Sequence, residues 1–224
     1  MMMECPFIST TLCNRDNHSA MGINRPCRRA RPQQKGRKTM NKEEVILFSG
    51  GIQGAEAEFG ATAERFGMAE VNFSFEGHKL VRHRGLRVLT PEELKSGDVS
   101  LEYVSRLMNR TYTENATIRK VLQTIWYQVN NGQEIYVIGE ILADQTVKGG
   151  TGWGAEFAKL CNKPLFVFDQ KQNAWFRWEN TKWVKYESGQ GPFINHTHIT
   201  GTGTRFLEAN GQQAIADLFA RSFV

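Results

Sequence analysis

Short solid apolar runs alternate with amphipathic stretches along this chain. The runs are "VILF" (Val45 to Phe48), "IYVI" (Ile135 to Ile138) and "LFVF" (Leu165 to Phe168), each flanked by Gly, Pro or Asp. Runs without polar alternation are expected of parallel strands covered on both faces. "VNFSF" (Val71 to Phe75) reads as a further strand. Helical spacing appears between them. From about Gln53 to Phe66, Ala55, Phe59, Ala63 and Phe66 share one face, and Gly67 is placed to stop the helix. A second helix is expected to begin at a capping box, Thr111 to Glu114, with Ile118, Val121, Leu122, Ile125 and Val129 as its apolar stripe. Leu101, Val104 and Met108 suggest a shorter helix, and Ile215, Leu218, Phe219 and Phe223 a C-terminal one. This alternation predicts the α/β class: a single Rossmann-like domain with a parallel sheet flanked by helices.

One segment departs from the alternation. "NAWFRWENTKWVKYES" (Asn173 to Ser188) reads as a small aromatic β-hairpin turning at Glu179 to Thr181, with Trp178, Trp183 and Tyr186 placed for cross-strand packing. It suits the covering of a sheet edge; a base-stacking platform is the alternative reading.

Composition changes the picture in one respect. The formal net charge of +5 suggests nucleic acid until it is divided along the chain. Residues 1–39 carry a net of +6, which leaves −1 for residues 40–224. The first segment has no apolar period and is expected to be a disordered basic tail. It reads as a stretch upstream of a functional start at Met40, as a targeting peptide, or as a basic arm, the first being favoured because no amphipathic face is visible. The remainder, residues 40–224, is the expected domain. A nearly neutral domain argues against a large phosphate-tracking surface, so nucleic acid is not the expected partner. Cys5, Cys13 and Cys27 lie in the tail and Cys161 in an expected helix, a distribution that supports neither a disulfide framework nor a zinc pattern. With no membrane-length apolar run and no secretory segment, a cytoplasmic location is expected.

Candidate chemistry gathers where strands hand over to helices. In open α/β sheets ligands sit beyond the carboxyl ends of the strands, where helix N-termini offer N–H donors. "FSGGIQGAEAEFG" places Ser49, Gly50 and Gly51 between the first strand and the first helix. "VKGGTGWGAEF" places Gly149, Gly150, Thr151, Gly152 and Trp153 ahead of a helix containing Glu156. "THITGTGTR" offers a third loop, with Thr202 and Thr204 as hydroxyl donors and Arg205 as counter-charge. Alternatively, one of those threonines caps a helix. Glycine lets a phosphate approach the backbone closely, although tight turns alone also use it. "FEGHKLVRHRGLR" adds His78, Arg82, His83, Arg84 and Arg87, either a cationic clamp or an exposed basic loop. His196 and His198 share a face, but a third metal ligand is not evident.

"SGGIQGAEAEFGATAERFG" resembles the first strand, loop and helix of the SLOG superfamily, Rossmann-like proteins that include the Smf/DprA, LOG-like and YpsA-like families and the molybdenum-cofactor carriers. "GGTGWGAE" is similar to the LOG-like signature P-G-G-x-G-T-x-x-E, with Gly149, Gly150, Gly152 and Glu156 at matching places. "IRK" resembles the arginine–lysine pair of that family, here Arg119 and Lys120. Lys148 stands where the signature has proline, Trp153 replaces its threonine, and "EILADQTV" lengthens the spacing; of these families, the YpsA-like one fits best. The resemblance implies that the protein binds a nucleotide or nucleotide-derived phosphate; no cofactor is expected, and whether the chain is a monomer or a homo-oligomer stays open. The resemblance also implies hydrolysis of the bond between base and ribose 5′-monophosphate, with Glu156 stabilising a cationic ribose and Arg119 holding the substrate. A noncatalytic nucleotide sensor and a DNA-binding protein of Smf/DprA type are the alternatives.

Overall fold

The computed structural model describes residues 40–224; the basic segment 1–39, with the expectations placed on it, lies outside the described residues. One mixed sheet of eight strands organises the described residues. The strands are β1 (Ile46–Ser49), β2 (Ala69–Phe75), β3 (Leu86–Leu89), β4 (Glu134–Gly139), β5 (Leu165–Asp169), β6 (Ala174–Glu179), β7 (Lys182–Lys185) and β8 (His198–Gly203), in spatial order β3-β2-β1-β8-β4-β5-β6-β7. Neighbours from β3 through β5 are parallel, and β6 and β7 extend that edge antiparallel.

The alternation of side chains on β4 shows why these runs are apolar throughout. Tyr136 and Ile138 pack against Phe59 of α1 (Ala55–Arg65) and Ile215 and Phe219 of α6 (Ala209–Phe223). Ile135 and Val137 point the other way, into Leu101 of α3 (Asp98–Leu107), Leu122 and Val129 of α4 (Ala116–Asn131) and Phe157 of α5 (Thr151–Leu160). A strand buried on both faces has no position left for a polar residue, and the α/β class follows. Strand order turns around between β1 and β4, so β1 and β4 lead away to opposite sides of the sheet.

Several local expectations are corrected. The helix expected to start at Thr111–Glu114 starts at Ala116, because the Asn115 side chain accepts the N–H of Ile118. The capping box belongs to Thr90 and Glu93, at the start of the short helix α2 (Pro91–Lys95). Thr202 and Thr204 do not cap α6, whose N-cap is Glu208. The strand expected around His196 and His198 forms from His198, and Thr200 to Gly203, expected as loop, belong to it as part of β8 between β1 and β4. Its glycines admit neighbours: a Cβ on Gly201 would lie 2.5 Å from the Phe59 ring. The hairpin forms as expected, with Asn180 and Thr181 at positive φ and Trp178 edge-on to Trp183 at 5.0 Å. Among the described residues, no helix is long and apolar enough to cross a membrane.

Candidate functional site

The carboxyl ends of β4 and β8, with the segments that follow β1 and β5, surround a cavity of about 480 Å³. This is the crevice an open parallel sheet leaves where its strand order reverses. Segments from all three candidate loops reach it: Ile52 after β1, Gly149, Gly150 and Thr151 at the start of α5, and Thr202, Thr204 and Arg205 at the end of β8. Val121 and Ile125 of α4 supply an apolar wall, and exposed Phe206 stands at the rim.

The floor holds a carboxylate that the sequence reading passed over. Glu56, in the first turn of α1, lines the cavity while remaining only 3% exposed. The Thr202 hydroxyl donates to its Oε1 at 2.9 Å, and the Ile52 N–H reaches Oε2 at 3.5 Å. Further donors are the Gly50 N–H and the Gln128 amide. Burial outweighs these hydrogen bonds and pushes the Glu56 carboxyl up to about 7. A legible signal existed: Glu56 lies one turn before Phe59 and Gly60 and two before Ala63, all buried, so a charge falls within the apolar stripe of α1.

The first glycine loop is consequently full. The N–H groups of Gly50 and Ile52 serve the protein's own carboxylate, and a Cβ on Gly50 would lie 2.5 Å from Glu56 Oε2. Gly51, at φ +68°, receives the N–H groups of Val81 and Arg82 on its carbonyl. Ser49 is buried and donates to the Gly201 carbonyl at 2.7 Å. The basic segment that could have clamped a ligand is spent here too: Arg82 pairs with buried Glu70 at 2.6 Å and with Glu64 at 3.0 Å.

The second loop is open. A Cβ on Gly149 or Gly150 would meet nothing within 4 Å, and α5 has no side-chain cap. Its backbone is held from behind by Arg110, whose guanidinium donates to the carbonyls of Gly149 (3.1 Å) and Val147 (3.2 Å) and to the Thr146 hydroxyl (2.8 Å). Gly152 serves that clamp, since a Cβ there would lie 2.1 Å from the Val147 carbonyl oxygen. The nine residues from Glu140 to Lys148 are drawn together by an Ile141–Val147 bridge and by the Lys148 N–H on the Glu140 carbonyl. At the rim Glu140 receives Lys148 at 2.8 Å and also Lys171; these two ammonium groups hold its carboxyl below the usual range. The helix N-terminus and Arg205 favour an anion here, and the two lysines that share Glu140 leave that cluster with a net positive charge.

The remaining candidates lie elsewhere. Arg119 bonds Asp98 at 3.2 Å and stacks over Tyr112 at 4.2 Å, closing the elbow between α3 and α4. Lys120 sits 5.5 Å over the Phe75 ring. Glu156 pairs with Lys159 at 3.0 Å, and Lys159 in turn lies 3.9 Å over Trp178 of the hairpin. Trp153 is buried against Tyr112. None of these four lines the cavity. His196 bonds Glu134 while His198 packs on Phe48, and among the described residues no three potential metal ligands gather. A second hollow, about 600 Å³ between β6–β7 and α6, is lined in part by Tyr186 of the hairpin and holds none of the candidate catalytic or phosphate-binding residues.

No family model, curated protein or solved structure matches this chain.

Proposed function

We propose that the protein binds a nucleotide or nucleotide-derived phosphate in the cavity at the carboxyl ends of the strands. The observation that carries this reading is the convergence of three separate loops on one hollow, with an uncapped helix N-terminus and Arg205 among its lining. The phosphate sits at Gly149–Thr151, where backbone N–H groups are open, and the rest of the ligand runs inward between Ile52, Val121 and Ile125 toward Glu56. The volume of about 480 Å³ is within the range of sites for small organic ligands. The resemblance of the loops to SLOG proteins supports the same ligand class.

Binding is favoured over hydrolysis through Arg119 and Glu156, because both side chains are engaged in ion pairs away from the cavity. Of the three carboxylates that line the cavity, Glu56, Glu140 and Glu208, the buried one is Glu56. A panel of nucleoside 5′-mono-, di- and triphosphates in a thermal-shift assay tests the proposal, since a ligand bound only by the folded state raises its apparent stability. The wild type is expected to gain several degrees with at least one of them. Gly150→Asp places a carboxylate against the same N–H groups and is expected to fold yet lose the gain. Equal shifts in both proteins, or none in the wild type, would overturn the reading.

A further inference from the structure

Four carboxylates are buried among the described residues: Glu56, Glu70, Glu134 and Asp169. Two of them have a cation bonded or near, and a third has a histidine beside it. Glu70 bonds Arg82 at 2.6 Å, and Glu134 bonds His196 at 2.9 Å. Asp169 accepts the N–H groups of Ile141 and Gln172 at 2.8 and 2.9 Å and lies in the field of Lys171. Glu56 differs. Its partners are a hydroxyl, an amide and two backbone N–H groups, all neutral, and no ion pair reaches it.

A carboxyl out of water without a counter-cation is compensated most simply by a proton. The surroundings can accommodate one. Gln128 is 1% exposed, its side chain bonds Glu56, and its Oε1 has no hydrogen-bond partner. A half-turn of that amide brings the unpartnered Oε1 to a protonated Glu56 as its acceptor. The elements around Glu56 contribute only neutral groups: Gly50 and Ile52 after β1, Gln128 from α4 and Thr202 from β8. The charged residues lining the same cavity are Glu140, Lys148, Lys171, Arg205 and Glu208, and Glu140 is already neutralised by the two lysines.

We infer that Glu56 is the proton-accepting group of this cavity, so that a phosphate monoester dianion entering at Gly149–Thr151 is bound together with a proton taken from solvent onto the Glu56 carboxyl. The inference rests on the phosphate reading of the cavity. Two negative charges in one partly desolvated hollow repel, and protonation of the buried carboxyl removes one of them. Glu56 thereby acts on specificity: with the proton in place it presents a neutral donor–acceptor face to the inner end of the ligand, and it disfavours a second anionic group there.

Adenosine 5′-monophosphate is the probe. Calorimetric titrations at about pH 7.5, where its phosphate is mostly dianionic, run in buffers of different ionisation enthalpy, give the number of protons exchanged on binding. Wild type is expected to take up a substantial fraction of one proton, and Glu56→Gln close to none while still binding. Binding without proton uptake in the wild type, or undiminished uptake in Glu56→Gln, overturns the inference and leaves the phosphate reading intact. Should neither this probe nor inorganic phosphate bind, the phosphate reading fails and the inference with it. If Glu56→Gln does not fold, carbon-13 titration of the wild-type glutamate carboxyls decides. One carboxyl titrating near neutrality and moving upward on adding the probe supports the inference; a set fully titrated well below neutrality contradicts it.

Discussion

The two glycine loops look alike in sequence and do different work in the structure. Each follows a parallel strand and leads into a helix, and each has a pair of adjacent glycines. After β1 the space a ligand phosphate would take is filled by Glu56, and Gly51 is tied to the segment carrying Arg82. After β4 the backbone is supported from behind by Arg110 and open in front. A glycine pair therefore marks a place where backbone comes close to something; whether that something is a ligand depends on a side chain several residues away.

The comparison can be broken at four points. The largest effect is expected at the support of the first loop. Arg82→Met removes the close cation of buried Glu70 and leaves only Arg84 at 3.9 Å; it should cost about 3 kcal/mol, read as a fall in the urea midpoint. A loss under about 1 kcal/mol would mean that the pair does not anchor this loop.

Next comes the pH dependence caused by Glu56. Its folded-state pKa is raised, so the native state holds the proton more tightly than the unfolded chain. The associated stability is fully present below about 4.5 and lost as pH rises through about 7. A shift from 4.5 to about 7 corresponds to a change on the order of 3 kcal/mol. Urea denaturation of wild type and Glu56→Gln at both ends of that window checks it; parallel profiles would remove Glu56 as the cause.

Gly51→Val ranks third. Positive φ alone costs a β-branched residue about 1–3 kcal/mol, and the new Cβ would lie 2.9 Å from the Arg82 carbonyl oxygen. The counterpart at the second loop, Gly150→Val, has ordinary φ and open space around its Cβ. Its stability should stay within about 0.5 kcal/mol of wild type, while nucleotide affinity falls because the side chain projects into the cavity. Equal destabilisation of the two variants would erase the distinction between the loops.

The sheet was legible where burial on both faces produced solid apolar runs, as in β1, β4 and β5, and the hairpin where Trp178 and Trp183 flank a polar turn. β8 was not, because "HITGTG" has the composition of a turn: its glycines answer to Phe59 and to the β4 backbone, contacts that appear only once the sheet is assembled. β3 was hidden by its edge position, which leaves Leu86, Arg87 and Val88 exposed and removes the apolar signature. At the site, the approach of the two glycine loops to one sheet edge could be anticipated from strand–helix order, whereas the third loop's place follows from β8. The separation of Arg119 and Glu156 from the cavity could not, since it depends on which side of α4 and α5 faces the sheet ends. Arg110 escaped notice for a similar reason: it sits in a connecting segment, and its partners lie more than thirty residues away.

The most direct test follows backbone amides by nitrogen-15 NMR during titration with adenosine 5′-monophosphate. The account predicts the largest shifts at Gly149, Gly150 and Thr151, with smaller ones at Thr204 and Arg205, while Gly51 and Val81 stay in place. Gly50 and Ile52, whose N–H groups bond Glu56, move with its protonation; shifts centred on Arg119 and Glu156, or confined to Gly50–Ile52, with the Gly149–Thr151 amides unmoved would contradict the account.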